Sequence, residues 1–265
     1  MGHHNLVFTG DAHADSGIWG TPTSAANFCE EDYAVTTYIA EFINTITNLA
    51  YIYCAVRYCR KTQPGAAWYT KLDLMSYALI GVGICSTAFH GTMRQIPQYF
   101  DDLSMFALAG ALLQPLYSVN QKAFTRFIVS AVLVHIILGV SVVYVRSGDI
   151  RIHTVAFLTM VTFMWPRTLY LIKRMGRPVE EQRRMMKIFW RAFWNLVIGY
   201  ALWNVDLEFC LNLRAVRETI GMPWSWVLEL HGWWHILTAV GASYFVKLVR
   251  MCTGDEPILK KQHKS

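Results

Sequence analysis

LHGWWHILTAVGASYFV, residues 230–246, is apolar enough to enter a bilayer yet opens with two histidines four residues apart. Four residues turn an α-helix by ~400° and lift it ~6 Å, so the imidazoles of His231 and His235 leave one face a turn apart. That spacing lets both reach a single metal ion. Ionisable side chains inside lipid are costly and usually functional. The stretch therefore reads as a membrane helix that carries chemistry.

The rest of the chain extends this reading. Of its 265 residues 54% are hydrophobic and 16% charged, against about 25% charged in an average soluble domain. The mean hydropathy is +0.28. Apolar runs near the ~20 residues a helical span needs recur at 37–56, 72–90, 103–118, 127–145, 152–172, 188–210 and 224–246. The expected fold is an all-α membrane protein, a seven-transmembrane helix bundle. Residues 1–36 form an acidic N-terminal segment, 37–250 the membrane domain and 251–265 a polar tail. Gly176 and Pro178 should break the chain between the fifth and sixth spans.

The net charge of +6 is a topology signal rather than a nucleic-acid footprint. No Lys or Arg precedes Val35, and 18 of the 24 basic residues fall in the loops and tail on one side of the seven spans. The positive-inside rule then places the N-terminus in the lumen and the C-terminus in the cytosol. The N-terminal stretch has neither a basic n-region nor an apolar h-region, so no cleavable signal peptide is expected. MGHHNL fails the myristoylation pattern at Leu6, and the first span is expected to act as an uncleaved anchor. Cys29 and Cys210 fall on the lumenal side, where disulfides are permitted and these two could pair. The KQHKS ending is expected to be a solvated basic tail.

This topology brings a third histidine to the same depth. His90 ends the second span on the lumenal side, where His231 and His235 open the seventh. Three neutral imidazoles and one water make the ligand set of an open, catalytic zinc site. Lone histidines such as His135 and His153 read instead as packed or interfacial side chains. Ser86 lies four residues before His90, on the same face and one turn deeper, where its hydroxyl could serve a developing oxyanion. Asp101 and Asp102 open the third span at this depth. A carboxylate there suits a general base beside a metal-bound water, while a helix N-cap would explain one of the two.

Asn27, Glu30, Glu31, Asp32 and Glu41 form an acidic, oxygen-rich set that suits calcium. Glu41 lies inside the first span, where a bound cation would neutralise it; pairing to an arginine would do the same. Asp206 in WNVD either orients a ligating histidine or is a plain helix-end acid.

GIWGTPTSAANFCEEDY (17–33), IAEFINTITN (39–48), STAFH followed by Asp101, WNVDLEFC (203–210) and LHGWWHILT (230–238) occur in an order that resembles the alkaline ceramidases. These are seven-span intramembrane amidases, and the resemblance covers most of the chain. It implies zinc on His90, His231 and His235, with Ser86 and Asp101 completing the catalytic site. It further implies calcium on Asn27, the Phe28 carbonyl, Glu30, Asp32 and Glu41, and a Cys29–Cys210 disulfide. Asn27 and Asp32 exchange the Asp and Asn usual at those places, which keeps the carboxylate count; Phe28 replaces a tryptophan. Asp102 replaces a Glu and is assigned no direct role.

The implied reaction is hydrolysis of the N-acyl amide of ceramide, in the endoplasmic reticulum and/or Golgi. The expected partners are a ceramide-type lipid and the bilayer, without nucleic acid or an obligate protein partner. The alternatives are a GPI-anchor remodelling hydrolase on a related scaffold, or an adiponectin/progestin-type receptor, whose N-terminus would face the cytosol.

Overall fold

The computed structural model describes residues 13–59 and 68–254. Among these residues the regular structure is helical throughout, with one isolated bridge between Thr36 and Ile39. The helices are α1 (Phe42–Thr47), α2 (Leu49–Arg57), α3 (Leu74–Thr92), α4 (Gln95–Ser118), α5 (Ala123–Ser147), α6 (Ile150–Arg174), α7 (Val179–Glu208), α8 (Cys210–Ile220) and α9 (Leu230–Thr253). The 3-10 turns Trp68–Lys71 and Trp224–Leu228 precede α3 and α9. MGHHNL, part of the first basic loop and the KQHKS ending lie outside the described residues.

Local chemistry sets the helix ends. The Asp73 carboxylate accepts from the Ser76 amide and caps α3. Met93, left-handed at φ 48°, turns the chain directly into α4, whose first turn tolerates Pro97 because its amide needs no helical partner there. Gly148 at φ 67° ends α5, and the Asp149 side chain accepts from Arg151 N to start α6. Pro178 stands before the first residue of α7, at the break expected from Gly176 and Pro178.

Helices α3, α5, α6 and α9 are each long and apolar enough to cross a membrane. The pair α7 and α8 passes the same test together but bends by 87° at its break. The chain is an integral membrane protein, all-helical among the described residues, where four such helices are found, or five if the bent pair counts as one span. Each apolar run falls mostly on α-helix, 224–229 being a 3-10 turn ahead of α9, and two further differences stand out. Residues 37–56 are not one helix: α1 begins only at Phe42 and gives way to α2 at Asn48. The stretch after Cys210, expected to be loop, forms α8. Its two arginines and Glu218 hide it from a search for apolar runs.

Helix α7 packs along α9 and α3 along α4. The backbones of α7 and α9 approach closely at Gly241, where a Cβ would lie 3.2 Å from the Ala192 carbonyl. Leu116, Ile172, Met185, Leu248 and Val249 fill the core between α4, α6, α7 and α9. Helix α5 is peripheral, and Tyr144 is its one buried residue.

Candidate metal centre and active site

The turn between α3 and α4 and the start of α9 meet at one end of the bundle. There one nitrogen from each of His90, His231 and His235 lies within 4.8 Å of the others. All three histidines are buried. They form the one group of this kind among the described residues. The histidine convergence expected from the sequence is therefore present.

Each ring is held by a neighbour. His90 Nδ1 lies 2.5 Å from Glu41 Oε2, and Asn44 Nδ2 donates to the same oxygen at 2.9 Å. His235 Nδ1 lies 3.1 Å from Thr47 Oγ1. His231 stacks on the Phe28 ring, centroids 3.8 Å apart. These contacts leave Nε2 of His90 and His235 for a metal. Gly232 makes the Thr47 contact possible, since a Cβ there would meet Ile43 at 3.1 Å and Thr47 at 3.3 Å. Three buried imidazoles with a carboxylate and a hydroxyl behind them suit a borderline-soft divalent ion such as zinc. Glu41 Oε1 and His231 Nδ1 have no protein partner.

Ser86 and Asp101 come together one turn away, joined by a side-chain hydrogen bond from the Ser86 hydroxyl. Both aspartates lie in the second turn of α4 rather than at its N-cap, so capping does not account for them. Asp102 points elsewhere, to Tyr144 and Gln98. Tyr51 from α2 lies near Asp101 and shares a 2.5 Å hydrogen bond with Thr238 of α9. Asp206 is fully buried. Its Oδ2 accepts from Cys29 N at 3.2 Å, and the amides of Leu230 and His231 face the same carboxylate. It thus supports the backbone that carries His231 rather than the imidazole itself.

The acidic set lies at this same end. Glu30 accepts from the amides of Ile43 at 2.6 Å and Asn44 at 2.8 Å, capping α1. Burial, with the nearby charges of Glu229 and Glu41, raises the Glu30 carboxyl well above its ordinary range against those two hydrogen bonds. Asp32 is buried, and Asn27 Oδ1 accepts from Phe28 N at 2.8 Å. Glu30, Asp32 and Glu41 form no three-residue group as tight as the histidines among the described residues. Cys29 and Cys210 are joined by a disulfide. Arg214 and Arg217 both donate to the Cys29 carbonyl, at 3.0 and 2.9 Å, and Arg217 also pairs with Glu229.

Sequence reading missed Thr47, Tyr51, Glu229 and the ring of Phe28. Single polar or aromatic residues in an apolar run carry no periodic signal. A Thr that meets a histidine ring or a stacked Phe appears only once the partner helix is in place.

Sequence comparison relates the chain to known proteins. The family profile described as Ceramidase matches residues 20–264. The chain is 29% identical over 254 residues to alkaline ceramidase YPC1 of Saccharomyces cerevisiae, spanning 87% of this chain and 77% of that protein. It is 28% identical over 239 residues to alkaline ceramidase 3 of Mus musculus, spanning 85% and 82%. It is 23% identical over 247 residues to the alkaline ceramidase of Arabidopsis thaliana, spanning 91% and 88%. With three converging histidines, a serine–aspartate pair beside them and a profile match over nearly its whole length, the chain belongs to the ceramidase family.

Proposed function

We propose that this protein hydrolyses the N-acyl amide bond of ceramide, giving a sphingoid base and a free fatty acid in sphingolipid metabolism. The observation that carries the reading is the buried histidine triad with the Ser86–Asp101 pair one helical turn from His90, in a chain that belongs to this family.

The resident metal is zinc, held by His90, His231 and His235. When bound it supplies a Lewis acid for the amide carbonyl and lowers the pKa of water toward neutrality. Glu41 and Thr47 fix the rings of His90 and His235, which holds the ligand nitrogens in register. Asp101, hydrogen-bonded by Ser86, takes a proton from the attacking water as its oxygen bonds to the carbonyl carbon. Protonation of Asp101 weakens its hold on Ser86, whose hydroxyl is then free to donate to the developing oxyanion. Asp101 returns the proton to the departing nitrogen, the C–N bond breaks, and a fatty acid and an amine remain. Amides are poor electrophiles and amines poor leaving groups, so both the oxyanion donor and the proton delivery are needed.

A second cation, calcium, belongs on Asn27, the Phe28 carbonyl, Glu30, Asp32 and Glu41. Burial of Glu30, Asp32, Glu41 and Glu229 at one end, with Arg217 paired to one of them, supports it. Seven spans, with a lumenal N-terminus and cytosolic C-terminus, place the site at the lumenal headgroup boundary of the endoplasmic reticulum or Golgi. There the amide of a ceramide meets the site while its chains stay in lipid. An N-terminal tag protected in sealed microsomes is the expected result for this orientation; an accessible tag contradicts it.

The functional test is hydrolysis of short- and long-chain ceramides by purified protein, with and without a zinc chelator. Fatty acid release that stops on chelation and returns with zinc is expected. Release indifferent to chelation, or no release from any ceramide, contradicts the reading.

A further inference from the structure

Successive residues on an α-helix point ~100° apart, so Asp101 and Asp102 cannot both face the histidines. Asp101 takes the Ser86 side. The buried carboxylate of Asp102 turns into a separate cluster drawn from three helices and the N-terminal segment. Tyr144 of α5 donates its hydroxyl to Asp102 Oδ2. Gln98 of α4 donates to the same oxygen at 3.4 Å. His153 of α6 brings Nδ1 to 3.8 Å from the other oxygen, its ring lying against Phe106 at 4.9 Å. The Gln98 carbonyl oxygen in turn accepts from the backbone amides of Ala25 at 2.7 Å and Ala26 at 3.3 Å. Two residues further on, the Phe28 ring stacks on His231.

The composition of this cluster is informative. Helix α5 buries a single residue, and that residue is a tyrosine spent on the carboxylate beside Asp101. A peripheral helix needs only apolar contact to stay docked, and burying a carboxylate is costly unless it is paired and hydrogen-bonded. The cluster fixes two things. It sets the rotation of α4 about its axis, which aims Asp101, and through Gln98 it sets the path of the segment that places Phe28 on His231.

We propose that Asp102, held by Tyr144 and Gln98, is a positioning residue for Asp101. It touches neither substrate nor metal. Its hydrogen bonds hold α4 in the one rotation that presents the Asp101 carboxylate to the reacting amide. This rests on Asp101 being the proton-handling group. Misplacing such a group by 1 Å can cost on the order of 10²-fold in rate.

The test compares Tyr144→Phe, Asp102→Ala, Asp102→Asn and Asp101→Asn in the full chain, measuring kcat, KM, bound zinc and Tm on a short-chain ceramide. Tyr144→Phe and Asp102→Ala should lower kcat tenfold or more, with KM and zinc content within twofold of the parent. Asp102→Asn keeps an oxygen that can accept from Tyr144 and should restore most of the lost kcat. A role confined to packing would shift Tm and zinc content with kcat and would show no such rescue. Tyr144→Phe retains the buried ring and carries the test if Asp102→Ala does not fold. Parental kcat in both Tyr144→Phe and Asp102→Ala, or a kcat that falls only with zinc, overturns the proposal while an inactive Asp101→Asn leaves the proposed reaction standing. Parental turnover in Asp101→Asn overturns both.

Discussion

Helices α3 and α9 meet at both ends of the bundle, and the two meetings are built on different rules. At one end Arg250 of α9, almost wholly buried, forks onto Asp73 with contacts of 2.7 and 2.8 Å. It also donates to Ser76 Oγ and to the Tyr58 carbonyl, each at 2.7 Å. The cation and the carboxylate answer each other. At the other end the same two helices bring His90 against His231 and His235, with buried carboxylates around them and Glu41 Oε1 left without a protein partner. Buried polar groups that satisfy one another make a joint, whereas three imidazoles converging on one point with buried carboxylates behind them suit a metal ion. The comparison separates stability from chemistry within one pair of helices.

The sharpest way to break it is at the chemical end. Asp101→Asn should abolish turnover with zinc retained, because the amide side chain cannot take up the proton. Amide hydrolysis followed beside metal analysis reads this, and an active Asp101→Asn with full zinc would move the proton-handling role elsewhere.

At the opposite end the expected effect is on folding alone. Arg250→Met leaves a half-buried Asp73 without its cation, a change that should cost less than the ~3–5 kcal/mol of a fully buried pair. It should lower thermal stability while the activity of each folded molecule stays parental. Burial alone would raise the Asp73 carboxyl, but hydrogen bonds from Arg250 and Ser76 more than offset it and hold the group below its ordinary range. The contribution of the joint is therefore complete above about pH 4. It is lost as pH falls through the depressed folded value, and Arg250→Met should flatten that acid limb of a melting series. An unchanged acid limb would remove Asp73 from the account.

These two ends were not equally legible in the sequence. The helical runs were plain, because lipid demands long apolar segments and few other patterns satisfy it. The histidine triad was legible because i,i+4 spacing and a count of spans bring three ligands to one depth. The break at Asn48 was not, since nothing in FINTITNLAY interrupts its apolar character strongly enough. Helix α8 was hidden by its charges. Arg250 stood in the sequence only among the basic residues after the seventh span, and Asp73 only at the edge of the second. Their pairing depends on α9 returning beside α3, which the chain does not encode locally. Asp102 looked redundant beside Asp101 for the same reason, as its partners come from α5 and α6.

A smaller effect sharpens the chemical end. Ser86→Ala removes one donor to the oxyanion, a loss that typically costs on the order of 10²–10³ in turnover. It should be slow but measurable with zinc unchanged, and parental turnover would place the oxyanion donor elsewhere. Smaller still is the contribution of the acidic segment. Calcium chelation should lower the melting temperature of the parent by on the order of 2–4 °C and leave Asp32→Ala unmoved. Equal shifts in both would remove Asp32 from the calcium set.

The central claim is that His90, His231 and His235 together hold the zinc on which ceramide hydrolysis depends. Zinc per chain, measured by elemental mass spectrometry on the same purified samples assayed for fatty acid release, tests it most directly. The account predicts about one zinc in the parent, with zinc and hydrolysis lost together in His231→Ala and in His235→Ala. Either variant retaining full zinc, or hydrolysing ceramide at the parental rate without it, would contradict the account.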